Sequence, residues 1–241
     1  MDQKTVNSHI SKKFNEDLQE LKSHLLMMGG LVERQVQDAI TAMVEGDSAL
    51  ATHVRNIEKR VNELEVAIDE ECTTILALRQ PAATDLRMVM AISKAITDLE
   101  RVGDEASKIA KLTLKLSEEG QAPRGYVELR HLGNHVKEML HKALDAFARF
   151  DVEQALSVAQ EDREVDLEYD AAMRQLVTYM MEDPRSISRV LKLVWSLRAL
   201  ERVGDHARNL AEHVIYLVKG QDVRHTDLEA IKREILGGAS L

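Results

Sequence analysis

The feature that most constrains this chain is a six-residue sequence that occurs twice. Leu-Glu-Arg-Val-Gly-Asp occupies residues 99–104 and returns at residues 200–205, an offset of 101 in a chain of 241 residues. Matching positions in the preceding segments align at an offset of 104, so about three residues are lost between the two regions. A repeat on this scale indicates two copies of one structural unit. The chain is therefore predicted to fold as two similar halves.

Apolar residues within each half recur with the period of an α-helix. One such stripe consists of Val54, Ile57, Val61, Leu64, Ile68, Cys72 and Ile75. Interruptions fall near the three prolines and at Gly46-Asp47 and Phe150-Asp151, where the aspartate can cap the next helix. The sequence therefore predicts helices over residues 7–45, 48–79, 83–118, 126–149, 152–182 and 186–219.

Long helices joined by short turns pack as antiparallel bundles. We therefore predict an all-α fold of two tandem three-helix bundles related by the internal repeat. The predicted domains are residues 1–120 for the first bundle, 121–125 for a linker, 126–220 for the second bundle, and 221–241 for a C-terminal tail that is a short helix or disordered.

Composition and charge exclude several classes of protein. The net charge is −9, and lysines and arginines are interspersed with acidic residues, whereas nucleic-acid binding needs a basic stripe. The first residues lack the pattern of a signal peptide, and no apolar run approaches the roughly 18 residues that span a bilayer. Cys72 is the only cysteine, which suits a reducing cytosol. We expect a cytoplasmic protein without direct membrane insertion.

Each copy of the repeat places a glutamate and an aspartate four residues apart. They are Glu100 and Asp104 in the first half and Glu201 and Asp205 in the second. On a helix this spacing points both carboxylates to one face. A glycine precedes each aspartate, although glycine inside a helix costs about 1 kcal/mol relative to alanine. Its repetition indicates either a closely packed neighbouring helix or a ligand that approaches the backbone.

The hairpin turns predict which side chains face these carboxylates. A turn near Pro81 brings Glu58 and Asn62 opposite the first pair. A turn near Pro184 brings Asp162 and Asp166 opposite the second pair. The repeat alignment matches Glu58 with Asp162 and Asn62 with Asp166, so two separate arguments select the same positions.

Clustered carboxylates repel one another unless they are protonated or bridged by cations. A divalent ion such as Mg, Mn, Zn or Fe would satisfy such oxygen ligands. Asn209 extends the second pair by one further turn, at i+8 from Glu201, whereas its counterpart in the first half is Lys108. We therefore predict two metal sites, the second of higher affinity. The alternative is an acidic, solvated stripe with ordinary glutamate–arginine pairing.

Histidine-containing patterns are weaker. His131 and His135 have the i, i+4 spacing of a zinc-binding pair, but the repeat does not support them. Glu138 and His141 form one Glu-x-x-His pair, whereas di-iron bundles need two. The spacing of serine, cysteine and histidine residues supports no catalytic triad.

Two further segments are informative beside the two copies of the six-residue repeat: residues 80–87 and residues 219–222. In all of these segments the chain resembles the PhoU family of bacterial phosphate-transport accessory proteins, and the resemblance extends over nearly the whole chain. It implies tandem three-helix bundles and a homodimer. It also implies a negative regulator of the phosphate regulon that links the ATPase subunit of a phosphate ABC transporter to a sensor histidine kinase.

The resemblance also implies which residues carry the function. Family members bind Mg, Mn, Zn or Fe through Glu-x-x-x-Asp motifs, which fall here on the two carboxylate pairs of the repeat. Asn209 fits the extended second motif, whereas Lys108 departs from a symmetric pattern. Asp85 and Arg87 lie in a further matching segment, which predicts a patch that is close to a metal or binds a partner.

Three hypotheses about function follow. The first is a metal-binding adaptor without catalytic turnover. The second is a phosphatase-like, metal-dependent enzyme that uses the acidic sites, although no nucleophile or histidine base is evident beside them. The third is a purely structural bundle with the acids on its surface.

Overall fold

The computed structural model describes residues 3–120 and 124–223, with side chains from residue 12 onwards. This part of the chain contains six α-helices and no strand. The helices are α1 (Gln3–Glu45), α2 (Ser48–Arg79), α3 (Ala83–Glu119), α4 (Tyr126–Arg149), α5 (Val152–Glu182) and α6 (Ile187–Lys219). None of these helices is both long and apolar enough to cross a membrane.

The predicted helix boundaries agree closely with the structure. Asp47 Oδ1 accepts hydrogen bonds of 2.9 Å from the amides of Ala49 and Leu50, and Asp151 Oδ1 accepts one of 3.0 Å from Gln154. Both predicted aspartate caps are therefore confirmed. The sequence did not predict the short 3₁₀ helix over Pro184–Ser186, which precedes α6.

The helices form two three-helix bundles that share one continuous core. Helix α3 packs against α6 and α1 packs against α4, so these four helices form the centre, with α2 and α5 outside. The α3–α6 pair is antiparallel: Arg87 near the start of α3 meets Leu217 near the end of α6, and Glu119 meets Lys192 at the opposite end. The predicted all-α fold of tandem bundles is confirmed. Residues 121–123 of the predicted linker and residues 224–241 of the predicted tail lie outside the described residues.

The two repeated glycines mark places where helices pack closely. A Cβ atom on Gly103 would lie 3.1 Å from the side-chain oxygen of Gln35 and 3.3 Å from Val61 Cγ1. A Cβ atom on Gly204 would lie 3.2 Å from Val165 Cγ1. These distances favour helix packing as the reason for both glycines. The packing brings α2 against α3, and α5 against α6, at the level of the repeated carboxylates.

Candidate metal-binding sites

The first acidic site lies between α2 and α3. Its members are Glu58 and Glu65 on α2 and Glu100 and Asp104 on α3, which we call the first carboxylate set. They lie close enough for each charge to influence the others, as the hairpin argument predicted for Glu58. The Ser107 hydroxyl donates a hydrogen bond to Glu58.

Both repeated carboxylates of the first set resist ionisation. Burial raises the pKa of Glu100, and the neighbouring charges of Asp104 and Glu65 raise it further. Burial also raises the pKa of Asp104, with Glu58 adding to the effect and Lys108 opposing it. A cation bound among these oxygens would offset this mutual repulsion.

The second acidic site lies between α5 and α6. Its members, the second carboxylate set, are Asp162, Asp166, Glu201 and Asp205. Burial raises the pKa of Glu201, and partial desolvation raises that of Asp205, although Asp205 remains exposed; acidic neighbours in the set raise both further. The second site therefore has the same electrostatic character as the first.

Two arginines partly neutralise the second carboxylate set. Arg198 Nη1 lies 2.6 Å from Glu201 Oε1, and Arg208 Nη1 lies 3.0 Å from Asp162 Oδ2. Burial raises the pKa of Asp162, while the hydrogen bond from Arg208 opposes that increase. Arg198 is more than half exposed, whereas Arg208 is also held by the buried Glu212, whose Oε1 lies 3.0 Å from Arg208 Nε.

One buried oxygen of the second set lacks a partner. Glu201 is 8% exposed, and its Oε2 atom accepts no hydrogen bond. An unsatisfied buried carboxylate oxygen is costly, and a metal ion is one group that would satisfy it. The residues therefore fit a hard divalent ion in donor type and number. Their side chains must converge to hold one, since no three His, Cys, Asp or Glu residues in the described part of the chain form a ready-made site.

Two predicted ligands are uncharged amides, Asn62 and Asn209. Asn62 is exposed on α2. The amide nitrogen of Asn209 donates a 3.0 Å hydrogen bond to Asp98 on α3, so it serves the contact between the two bundles. Its role as a metal ligand of the second set stays a prediction. The prediction that the second site binds metal more tightly then depends on Lys108, whose positive charge lies near Asp104 of the first site.

A buried polar cluster between the bundles was missed by the sequence analysis. Asp98 on α3 is bonded at 2.9 Å to His206 Nδ1 and at 2.9 Å to His213 Nε2, both on α6, in addition to Asn209. Burial alone would raise the pKa of Asp98, but the hydrogen bonds from these three side chains outweigh it and hold the pKa well below its usual range. This cluster fixes α3 against α6 beside the second carboxylate set.

Asp85 and Arg87, predicted as a partner-binding patch, lie in the first turns of α3. The Arg87 guanidinium donates to the Leu217 carbonyl at 3.2 Å and to the Thr84 hydroxyl at 3.0 Å. Arg87 therefore connects the start of α3 to the end of α6. Its positive charge there interacts favourably with the last carbonyl groups of α6, which carry the negative end of the helix dipole. Asp85 is half-buried at the rim of a groove. Partner binding by these residues stays a prediction.

The remaining histidine patterns form pairs with glutamates. His131 and His135 both contact Glu168, at 3.2 and 3.0 Å, and His135 also contacts Glu161 at 3.1 Å. His141 on α4 lies 3.0 Å from Glu33 on α1 and so joins the two bundles.

Comparison with known proteins identifies the family. The PhoU domain model matches residues 25–113 and 129–214. The two matches begin 104 residues apart and end 101 residues apart, in agreement with the internal repeat. The chain belongs to the PhoU family.

Relatives in this family match almost the full chain. The phosphate-specific transport system accessory protein PhoU homolog of Pseudomonas putida is 59% identical over 239 residues, covering 99% of this chain and 93% of the relative. The accessory protein PhoU of Escherichia coli K12 is 47% identical over 237 residues, covering 98% of each. The crystal structure of PhoU from Pseudomonas aeruginosa has a TM-score of 0.84 at 62% identity and covers 86% of this chain and 100% of that one. PhoU from Streptococcus pneumoniae has a TM-score of 0.80 at 32% identity, covering 87% and 99%.

Replacing Glu201 with glutamine is expected to stabilise the metal-free protein. The substitution removes a buried charge that burial and acidic neighbours disfavour, so we expect a gain of about 1 kcal/mol in the free energy of unfolding. That gain corresponds to a rise of about 2–4 °C in Tm. Because the folded-state pKa is raised, the penalty is present at pH 7 and disappears as the pH falls toward 4, where the carboxyl takes up a proton. Thermal unfolding in chelator at pH 7 and pH 4 measures this, and an equal shift at both values would contradict it.

Proposed function

We propose that this protein is a negative regulator of the phosphate regulon and a modulator of phosphate ABC transport. It acts as a cytoplasmic adaptor, without a catalytic reaction of its own, between the transporter ATPase subunit and a phosphate-sensing histidine kinase. Membership of the PhoU family carries this proposal, since the relatives are named as accessory proteins of a phosphate-specific transport system. Docking is proposed to favour the dephosphorylating state of the kinase. The protein is further proposed to work as a homodimer.

The two carboxylate sets are proposed to hold divalent metal ions. Glu100 and Asp104 would be the central ligands of the first set, with Glu58 and Glu65 opposite them. Glu201 and Asp205 would be central in the second. A bound ion would supply positive charge that draws α2 against α3 and α5 against α6. The chain's own contribution is to gather these oxygens on facing helices and to shield part of each set from water.

Metal affinity is expected to differ between the two sites. Lys108 contributes a repelling charge beside Asp104, whereas its counterpart in the second half, Asn209, is neutral; Arg208, paired with Asp162, opposes this difference in part. We therefore expect weaker binding at the first set, with a difference of several-fold. Calorimetric titration of Mn²⁺ into two variants, E100Q/D104N and E201Q/D205N, isolates each site in turn. Equal affinities would contradict the expected order, and no binding to the unsubstituted chain would remove the metal proposal.

A phosphate-regulon reporter tests the regulatory proposal. A strain that lacks its own copy of this regulator would carry either this chain or a variant with Glu100, Asp104, Glu201 and Asp205 replaced by alanine. In excess phosphate we expect the unsubstituted chain to silence alkaline phosphatase and the variant to lose most of that repression. Circular dichroism and expression level establish that the variant is folded.

The possible outcomes separate the regulatory function from the metal sites. Repression by both chains would support the regulatory function and show that the carboxylate sets are dispensable for it. Repression by neither chain, with both expressed and folded, would contradict the proposed function. A matched control is E63Q/E70Q, which removes two exposed acidic charges of α2 outside the carboxylate sets and is expected to repress normally.

A further inference from the structure

Two histidines and two glutamates meet between α4 and α5. His131 Nδ1 lies 3.2 Å from Glu168 Oε2, and His135 Nδ1 lies 3.0 Å from the other oxygen of the same carboxylate. On the far side of its ring, His135 Nε2 lies 3.1 Å from Glu161 Oε1. We call these four residues the histidine–glutamate cluster. It is separate from the second carboxylate set, which lies between α5 and α6.

The internal repeat shows that the fold does not require polar side chains at this place. The equivalent residues of the first bundle, 104 positions earlier, are all apolar: Met27, Leu31, Ile57 and Leu64. Three of them line one groove between α1 and α2, so these positions are neighbours in the first bundle as well. The second bundle therefore has two imidazoles and two carboxylates where the first has an apolar contact.

Most of the cluster is shielded from water. The exposed fraction of the side chain is 17% for His135, 15% for Glu161 and 30% for Glu168. Carboxylates at this depth need partners. Lys142 Nζ lies 3.1 Å from both oxygens of Glu161 and holds that carboxylate in place. Within the described part of the chain, Glu168 forms ion pairs with the two histidines only.

The ring of His135 cannot donate to both carboxylates as a neutral imidazole. A neutral ring carries one N–H, so its other nitrogen turns a lone pair toward a carboxylate. A metal ion on Nδ1 removes this conflict, because Nε2–H then donates to Glu161. Metal-bound histidines are commonly oriented by a carboxylate in this way. The alternative is a protonated ring that donates from both nitrogens and needs no metal.

The distances around Glu168 suit a metal ion. Zinc binds nitrogen and carboxylate oxygen at about 2.0–2.2 Å, so two such ligand atoms on a tetrahedral ion lie about 3.4 Å apart. The nitrogen–oxygen contacts of 3.0 and 3.2 Å are close to this separation. The side chains must still converge, since no three His, Cys, Asp or Glu residues of the described ranges form a ready-made site. His131 is 74% exposed and can rotate at little cost.

We propose that His131, His135 and Glu168 bind a zinc ion, with Glu161 orienting His135 and a water molecule as the fourth ligand. Imidazole combined with carboxylate selects zinc over magnesium, whereas the two carboxylate sets offer oxygen donors only. The bound ion links α4 to α5 within the second bundle. This site is additional to the carboxylate sets and does not depend on the regulatory proposal.

Calorimetric titration of Zn²⁺ tests the proposal in a full chain that combines E100Q/D104N with E201Q/D205N, so that the repeated carboxylates do not compete for the ion. Circular dichroism establishes that this chain is folded. We expect one zinc ion to bind per chain, without competition from equimolar Mg²⁺. Absence of zinc binding would overturn the proposal and leave the protonated ring of His135 as the explanation of the cluster.

Variants of the cluster identify the ligands in the same background. H131M/H135L introduces the apolar residues of the first bundle and is expected to weaken zinc binding by more than about 100-fold. Glu161→Ala removes only the acceptor for Nε2, so a loss of about 10–100-fold is expected. The control H141N removes another α4 histidine that is paired with a glutamate and is expected to bind zinc unchanged. Equal affinity in H131M/H135L and H141N would overturn the proposal.

NMR spectra of the histidine rings test the ligands in the unsubstituted chain, without reliance on any multiple variant. Zn²⁺ is expected to shift the ring nitrogen signals of His131 and His135, which the single variants H131M and H135L assign. Mg²⁺ is expected to leave these signals in place. Ring signals that do not respond to zinc would contradict the proposed site.

Discussion

Replacing Asp98 with alanine is expected to lower the free energy of unfolding by about 3 kcal/mol. The carboxylate is 7% exposed and accepts hydrogen bonds from two histidines and one asparagine of α6. Alanine would leave all three donors without their partner inside the contact between the bundles. Urea denaturation followed by circular dichroism at pH 7 measures the loss.

The pH dependence and a matched control sharpen this prediction. Because the pKa of Asp98 is lowered by folding, its stabilisation is present above about pH 4 and is lost only as the pH falls through the folded-state value. The difference between the two chains should therefore be no smaller at pH 5 than at pH 7. Asp170→Ala, on the exposed surface of α5, should change stability by about 0.5 kcal/mol or less. A loss below 1 kcal/mol in D98A would show that the cluster adds little to stability.

Replacing Gly125 with alanine is expected to cost about 3 kcal/mol. Gly125 has a φ of 107°, which alanine adopts at a cost of about 1–2 kcal/mol. An added Cβ would also lie 2.6 Å from Leu176 Cδ2 and 2.7 Å from Leu193 Cδ1, both on fully buried residues. Forcing these leucines aside costs a further 1–3 kcal/mol or so. Chemical denaturation compares the variant with the unsubstituted chain.

Gly30→Ala is the control for this substitution. Gly30 lies within α1, and a Cβ there would meet no other atom within 4 Å. Alanine favours the helix, so a gain of up to about 1 kcal/mol is expected. Equal effects of the two substitutions would contradict the role assigned to Gly125.

The helices could be predicted because the features that specify each one, its apolar period and its capping residue, lie within a short stretch of sequence. The stripe from Val54 to Ile75 on α2 is buried as its period indicated, and the aspartates before α2 and α5 cap them. Leu86, the first residue of a similar stripe on α3, is instead 39% exposed because it lies in the first turn of the helix, near the end of the bundle. The 3₁₀ turn at Pro184 has no periodic pattern that could reveal it.

The acidic sites could be predicted in part because they lie within one hairpin of each half. Turn position and helical period were enough to bring Glu58 toward Glu100, and Asp162 toward Glu201. Glu65 was missed, although its i+7 spacing from Glu58 places it on the same face of α2. The placement of ions at these sites stays a prediction.

Contacts between the bundles could not be predicted because no local pattern encodes them. The period of α3 identifies its apolar faces but does not show that one of them meets α6. Asp98 therefore resembles an ordinary surface residue in the sequence, and its repeat counterpart is Ala199. The hydrogen bond of Asn209 was missed for the same reason: its partner belongs to the other half of the chain.

The α3–α6 contact also determines how this molecule can assemble. His206 corresponds to Glu105 in the repeat, so two first halves paired through their α3 helices would bring Asp98 toward a carboxylate instead of a histidine. Two second halves would bring Ala199 to the histidines. Duplicated units with interchangeable faces can swap between molecules or extend into open chains. The divergence of Asp98 and His206 from their repeat counterparts therefore disfavours pairing of like halves and favours the α3–α6 contact within one chain.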